Sequence, residues 1–64
     1  MKNRLRELRN DKKLSQKELS KILNMSQTGY SKYETSENDI PTKILLKLSE
    51  IYEVSIGYLL GAEE

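Results

Sequence analysis

Apolar residues recur at three- and four-residue spacings along most of this chain, and polar caps interrupt them at short intervals. Leu5 and Leu8 stand i,i+3 among Arg4, Arg6, Glu7 and Arg9, which predicts an amphipathic helix over about 3–11. Polar Asp11-Lys12-Lys13 ends it. Ser15 with Glu18 is a capping box, in which hydroxyl and carboxylate each satisfy a free backbone N–H of a helix start. Leu14 and Leu19 bracket it as a hydrophobic staple. Leu19, Ile22 and Leu23 supply the apolar stripe of a second helix, about 16–23. Asn24 tolerates left-handed backbone and stops that helix. The same opening recurs at Met25-Ser26 with Tyr30, and the third helix is expected over about 27–34. It recurs again at Val54-Ser55 with Leu59, for a fifth helix over about 56–60 that Gly61 terminates.

Between these lies a polar loop from Thr35 to Pro41. Thr42 is expected to cap a fourth helix, about 43–52, with Ile44, Leu45, Leu48, Ile51 and Tyr52 inward. No segment alternates with period two, so no sheet is expected. The expected class is all-α, with Leu14, Leu19, Leu23, Tyr30, Leu45, Leu48 and Leu59 in the core. Only about three residues separate the second and third helices, and a turn that short favours the steep crossing of a helix-turn-helix.

The chain has 64 residues, which suits one domain spanning 1–64. With 36% apolar residues, it can build one small core but not a core plus a deep pocket. It has no Cys and no His, so the thiolate, the usual general base and the commonest metal ligand are all missing. No set of nucleophile, base and pocket assembles; an enzyme is not expected, and neither is a cofactor, a metal or a small-molecule substrate. No apolar run approaches the eighteen or so residues of a membrane span, and no signal peptide is recognisable. A cytoplasmic binding module is the expectation.

The net charge of +1 hides an asymmetry. Residues 1–32 carry nine Lys/Arg and three Asp/Glu, a net of +6; residues 33–64 carry two Lys and seven Asp/Glu, a net of −5. A basic half suits a polyanion, because each neutralised phosphate releases counterions. The same charges could simply solvate a surface. At about 100° per residue, however, Gln27, Thr28, Ser31, Lys32 and Thr35 share one arc of the third helix, while Tyr30 and Tyr33 lie on the other side. That arc offers an amide, three hydroxyls and an ammonium. Gln pairs with adenine, Lys donates to guanine, and Thr bonds a base edge or touches a thymine methyl. A plain solvated helix face would look similar. The second helix starts at Gln16, where free N–H groups and the helix dipole suit a phosphate. Lys17 and Lys21 follow one turn apart, and for Lys21 simple solubility is the favoured role. Gly29 costs about 1 kcal/mol relative to Ala in a helix interior, which suggests either a close approach by another backbone or no role at all.

Taken together, these pieces resemble the lambda-repressor/Cro-like helix-turn-helix family of DNA-binding regulators. The likeness runs from Leu5-Arg6-Glu7-Leu8-Arg9 through Leu14-Ser15-Gln16-Lys17-Glu18-Leu19 and Ser26-Gln27-Thr28-Gly29-Tyr30-Ser31-Lys32-Tyr33-Glu34. It continues through Ile40-Pro41 to Val54-Ser55-Ile56-Gly57-Tyr58-Leu59-Leu60-Gly61. Each piece is weak alone, but in this order and spacing they are specific. The resemblance implies a compact five-helix fold with the helix-turn-helix at helices two and three. It implies that Gln27, Thr28 and Lys32, with Ser31, read base edges. It places Ser15, Gln16, Thr35 and Lys43 near phosphates, where Lys17 is a further candidate by its place at the start of the second helix, and it pairs Arg9 with Glu34. The alternative for Glu34 is a solvated carboxylate, unfavourable beside the negative pole of its helix.

Departures from the family pattern are visible. Relatives usually carry Ala at position 20, and Gly at positions 24 and 36, where this chain has Ser20, Asn24 and Ser36. Glu37 and Asp39 stand where several relatives are basic. Gly57 replaces a common acidic residue in the fifth helix.

The expected function is sequence-specific binding of double-stranded DNA by a bacterial or phage-type, nucleoid-associated transcriptional regulator. Repression is expected, by a homodimer on a pseudo-palindromic operator. Ile56 and Tyr58 are candidates for its dimer surface or for the core; Leu59 and Leu60 are assigned to the core. The competing function is a helical protein-interaction module, such as the antitoxin of a toxin–antitoxin pair, using the acidic half.

Overall fold

The computed structural model describes residues 3–62. Five helices follow one another: α1 (Leu5–Asp11), α2 (Gln16–Ile22), α3 (Gln27–Glu34), α4 (Thr42–Tyr52) and α5 (Ile56–Leu59). There is no strand among the described residues. The longest helix has 11 residues, short of the roughly 12–15 that make an isolated helix even marginal in water. Caps and tertiary packing therefore have to hold each one.

The capping box forms as the sequence predicts. The Ser15 Oγ accepts from the Glu18 N–H at 3.0 Å, and the Glu18 carboxylate accepts from the Ser15 N–H at 2.9 Å. The Ser26 and Ser55 hydroxyls accept from Gly29 and Tyr58 in the same way. Three connectors share one design. Lys13, Asn24 and Glu53 take left-handed backbone, with φ of 57°, 59° and 54°. Leu14, Met25 and Val54 follow, then the capping serines. The N–H groups of Leu14, Met25 and Val54 return to Arg9, Ser20 and Ser49 carbonyls, the long bond of a Schellman motif. One apolar residue thus closes one helix and precedes the cap of the next. Each of the three also packs partly buried against the core.

Leu5, Leu19, Leu23, Tyr30, Leu48, Tyr52 and Leu59 form that core. Several expected positions differ. Leu14 is only partly buried, packed at the core's edge. Leu45 is half-buried, because Ile44, Leu48, Ile51 and Tyr52 take the inward stripe of α4 and leave it on the flank. Ile22 is 46% exposed. Ser20 is buried, so the inward face of α2 centres between Leu19, Ser20 and Leu23, about 100° from Ile22 at the helical pitch. The Ser20 hydroxyl donates to the Lys17 carbonyl at 2.8 Å, which satisfies it inside the interface. Leu60 is 38% exposed; α5 is a single turn, and Leu60 is its C-cap residue.

At the start of α4, Thr42 is the first helical residue rather than the cap. Pro41 occupies the cap position and makes no side-chain cap bond, while its carbonyl receives the Ile44 and Leu45 N–H groups. The beginning of the chain is tied down by contacts that sequence spacing does not announce. The Arg4 N–H donates to the Leu59 carbonyl at 2.9 Å, and its guanidinium lies 4.3 Å from the centre of the Tyr58 ring. The Asn3 amide donates to the Tyr33 carbonyl at 2.7 Å. Gly29 meets side chains, not another backbone: a Cβ there would lie 3.1 Å from the Ser26 cap hydroxyl and 3.3 Å from Met25 Cε.

Candidate nucleic-acid interface

α2 and α3 pack together and leave a shallow concavity between the start of α2 and the outer face of α3. Gln16, Gln27, Thr28, Ser31, Lys32 and Glu37 line it. Tyr30 and Tyr33 turn to the opposite side, where their rings meet edge to face with centroids 6.5 Å apart. The surface is polar, exposed and rich in donors. It suits the edge of another polar molecule and lacks the depth for a small apolar ligand.

Beneath Gln16 lies a buried ion pair. Arg9 Nε is 2.7 Å from Glu34 Oε2, with side chains 12% and 0% exposed. Arg9 Nη2 reaches Oε1 at 3.4 Å, and Nη1 donates to the Leu14 carbonyl at 2.9 Å. Arg6 approaches Oε1 at 3.5 Å from solvent, a distance and exposure worth little. Gln16 Nε2 donates to Glu34 Oε1 at 3.1 Å. A carboxylate only accepts, so the Gln16 amide must turn its nitrogen inward. One amide hydrogen is thereby committed, and the second remains for a partner outside.

Burial is the largest single influence on the Glu34 carboxyl and acts to raise its pKa. Hydrogen bonds from Arg9 and Gln16, the dipole of the nearby Tyr30 hydroxyl and the Arg9 charge outweigh it and hold the group below its usual range. The Tyr30 hydroxyl is buried and makes no hydrogen bond among the described residues. Burial drives the Tyr30 phenol well above its usual value and pushes Tyr52 up to about 12.

The other candidate residues lie outside the concavity. Ser15 and Lys17 are exposed around the start of α2. Thr35 is exposed, but its hydroxyl is already placed between the Lys32 carbonyl at 3.2 Å and Glu37 Oε1 at 3.1 Å. Lys43 lines a separate cleft with Leu23, Asn24, Met25, Tyr33, Ile44 and Lys47. Ile56 and Tyr58 are half-buried on α5. Glu37 was not among the sequence candidates for this surface; only the fold of its loop brings it there.

Residues 5–59 match the family model described as helix-turn-helix. This chain belongs to the Cro/C1-type helix-turn-helix family. It is 44% identical over 61 residues to the HTH-type transcriptional regulator ImmR of Bacillus subtilis (strain 168), an alignment covering 95% of this chain and 48% of that protein. It is 39% identical over 57 residues to the SPbeta prophage-derived uncharacterized HTH-type transcriptional regulator YonR of the same organism, covering 89% and 53%. The uncharacterized HTH-type transcriptional regulator YobD, also from that organism, is 34% identical over 58 residues, covering 91% and 52%. The chain spans about half the length of the curated relatives it matches. No solved structure matches it significantly. The family and these named relatives belong to DNA-binding transcriptional regulation, not to catalysis.

Family membership makes sense of two departures. Asn24 and Ser36, where the family pattern favours Gly, both take left-handed backbone, with φ of 59° and 65°. Both residues bear a small backbone strain there, and Asn tolerates it better than most. Among the described residues, no helix is long and apolar enough to cross a membrane, and no group of side chains is arranged to hold a metal ion.

Proposed function

We propose that residues 1–64 are the DNA-reading domain of a cytoplasmic transcriptional repressor that binds a pseudo-palindromic operator as a homodimer. The observation that carries this reading is the concavity where Gln27, Thr28, Ser31 and Lys32 of α3 stand beside Gln16 of α2. Side chains on the outer face of α3 enter the major groove and meet base edges. Gln16 offers its remaining amide hydrogen to a phosphate beside the groove. Ser15, Lys17 and Lys43 contact phosphates on either side, while the Thr35 hydroxyl stays between the Lys32 carbonyl and Glu37.

A single module of this kind covers only about 600–1,000 Å² on DNA. Two copies related by a two-fold axis double that and set their recognition helices about 34 Å apart. Ile56 and Tyr58, half-buried beside exposed Leu60, form the centre of the dimer surface.

Base contacts supply discrimination, and phosphate contacts supply affinity on any sequence. Gln27→Ala is expected to lose about 1–3 kcal/mol on the preferred site and much less on random duplex. Lys43→Ala is expected to weaken both equally and to flatten the salt slope by about one unit. Binding of both variants to a selected operator and to scrambled DNA, across a salt series, tests this. An unchanged operator-to-scrambled ratio in Gln27→Ala would remove α3 as the reader.

A further inference from the structure

Glu37 is the acidic member of an otherwise neutral and basic surface. It lines the same concavity as Gln16, Gln27, Thr28, Ser31 and Lys32. By charge alone it is a liability near phosphates. Its placement argues for more. Ser36 takes left-handed backbone, with φ of 65°, and its N–H returns to the Tyr33 carbonyl at 3.3 Å. The Asn38 N–H returns to the Lys32 carbonyl, also at 3.3 Å. The loop therefore folds back on the end of α3 and brings Glu37 to the outer face of that helix. Thr35 Oγ1 lies 3.1 Å from Glu37 Oε1, which steadies the carboxylate in that orientation. A carboxylate has about four acceptor positions, so this contact leaves it capacity for a further donor. An oriented carboxylate with acceptor capacity to spare thus lines the concavity as a pure acceptor.

In the major groove the complement of such an acceptor is an exocyclic amino group, and cytosine N4 is the pairing that carboxylates favour. Adenine is the poorer match, because its N7 acceptor sits beside the amino group and repels the second carboxylate oxygen. We infer that Glu37 is a specificity-determining residue that accepts a hydrogen bond from cytosine N4, near the base that Lys32 contacts. The inference rests on α3 being the reader. It turns the acidic loop from a general weakness into a filter: a phosphate or another base opposite Glu37 leaves the carboxylate desolvated and unpaired.

The test is selection of bound sites from a random duplex library by the full chain, its Glu37→Gln and Glu37→Ala variants, and Gln27→Ala. Glu37 is exposed, so these replacements leave the core intact; thermal melting checks this. Glu37→Gln is expected to shift one position in each half-site from cytosine toward adenine, the base Gln prefers, by on the order of tenfold. Glu37→Ala is expected to lose preference at that position alone. If both variants instead bind all sequences more tightly with unchanged base preferences, Glu37 only repels phosphate and the assignment is overturned. In that event a shifted preference in Gln27→Ala leaves α3 standing as the reader. An unchanged preference there removes that reading as well.

Discussion

Replacing Glu34 by alanine is expected to cost about 3–5 kcal/mol of folding stability, because it strands a charge that is mostly shielded from water. The stranded partner is Arg9, whose side chain is 12% exposed and which loses bonds of 2.7 and 3.4 Å to Glu34. Its remaining hydrogen bond, to the Leu14 carbonyl, does not balance the charge. A 64-residue chain has only about 3–10 kcal/mol of total stability at typical per-residue values. The variant should therefore be largely or wholly unfolded in a urea titration. A double-mutant cycle with Arg9→Ala should show strong coupling; additive losses would mean that both groups are solvated.

The same pair gives stability a pH dependence of definite sign. The folded state holds Glu34 below the usual carboxylate range, so the unfolded chain takes up its proton first as pH falls. The contribution is complete above the unfolded value, near 4.3, and is lost as pH drops through the lower folded value. Glu18 adds to the same acid limb, since the Ser15 backbone hydrogen bond lowers it too. The informative comparison is the parent against Glu34→Gln, followed by thermal melting from pH 7 to pH 3. The variant starts less stable and should lose less on acidification; parallel curves would exclude Glu34 as the source. At the alkaline end the sign reverses. Tyr30 and Tyr52 are held neutral by burial, so stability should decline once the unfolded phenols ionise, above about pH 10.

Leu19→Ala is the second change with a large expected effect. Leu19 is fully buried and sits at the α2 end of the staple, facing a core shared by all five helices. Truncating a buried leucine costs about 2–5 kcal/mol, the lost transfer energy plus the cavity left behind. No helix here is long enough to compensate by intrinsic propensity. The melting temperature should fall steeply, with helical content lost in one transition. Ile22→Ala, one turn away and 46% exposed, is the matched control and should change little. Equal losses in the two would place the inward face of α2 between them, against the burial of Ser20.

Local chemistry was enough to place the helices. Ser15, Ser26 and Ser55 each mark a helix start, because an N-cap hydroxyl needs only the N–H three residues on. The polar arc of α3 was legible because its angular spacing depends on helical pitch alone. Helix ends were less so. Asn24 and Gly61 announce left-handed backbone by residue type, whereas Lys13 and Glu53 adopt it without any such signal. There the Schellman bonds and the burial of Leu14 and Val54 impose the conformation. Which side of each helix faces inward was decided by partners distant in sequence. A buried Ser20 rotates α2 away from Ile22, and Leu60 lies past the end of a one-turn helix. The site divides in the same way. Gln27, Thr28, Ser31 and Lys32 share a face by periodicity. The inward turn of the Gln16 amide depends on Glu34, 18 positions away, and a buried carboxylate selects its partners by proximity in space. Glu37 reaches the same surface only because Ser36 turns its loop back onto α3, a backbone choice that sequence spacing does not encode.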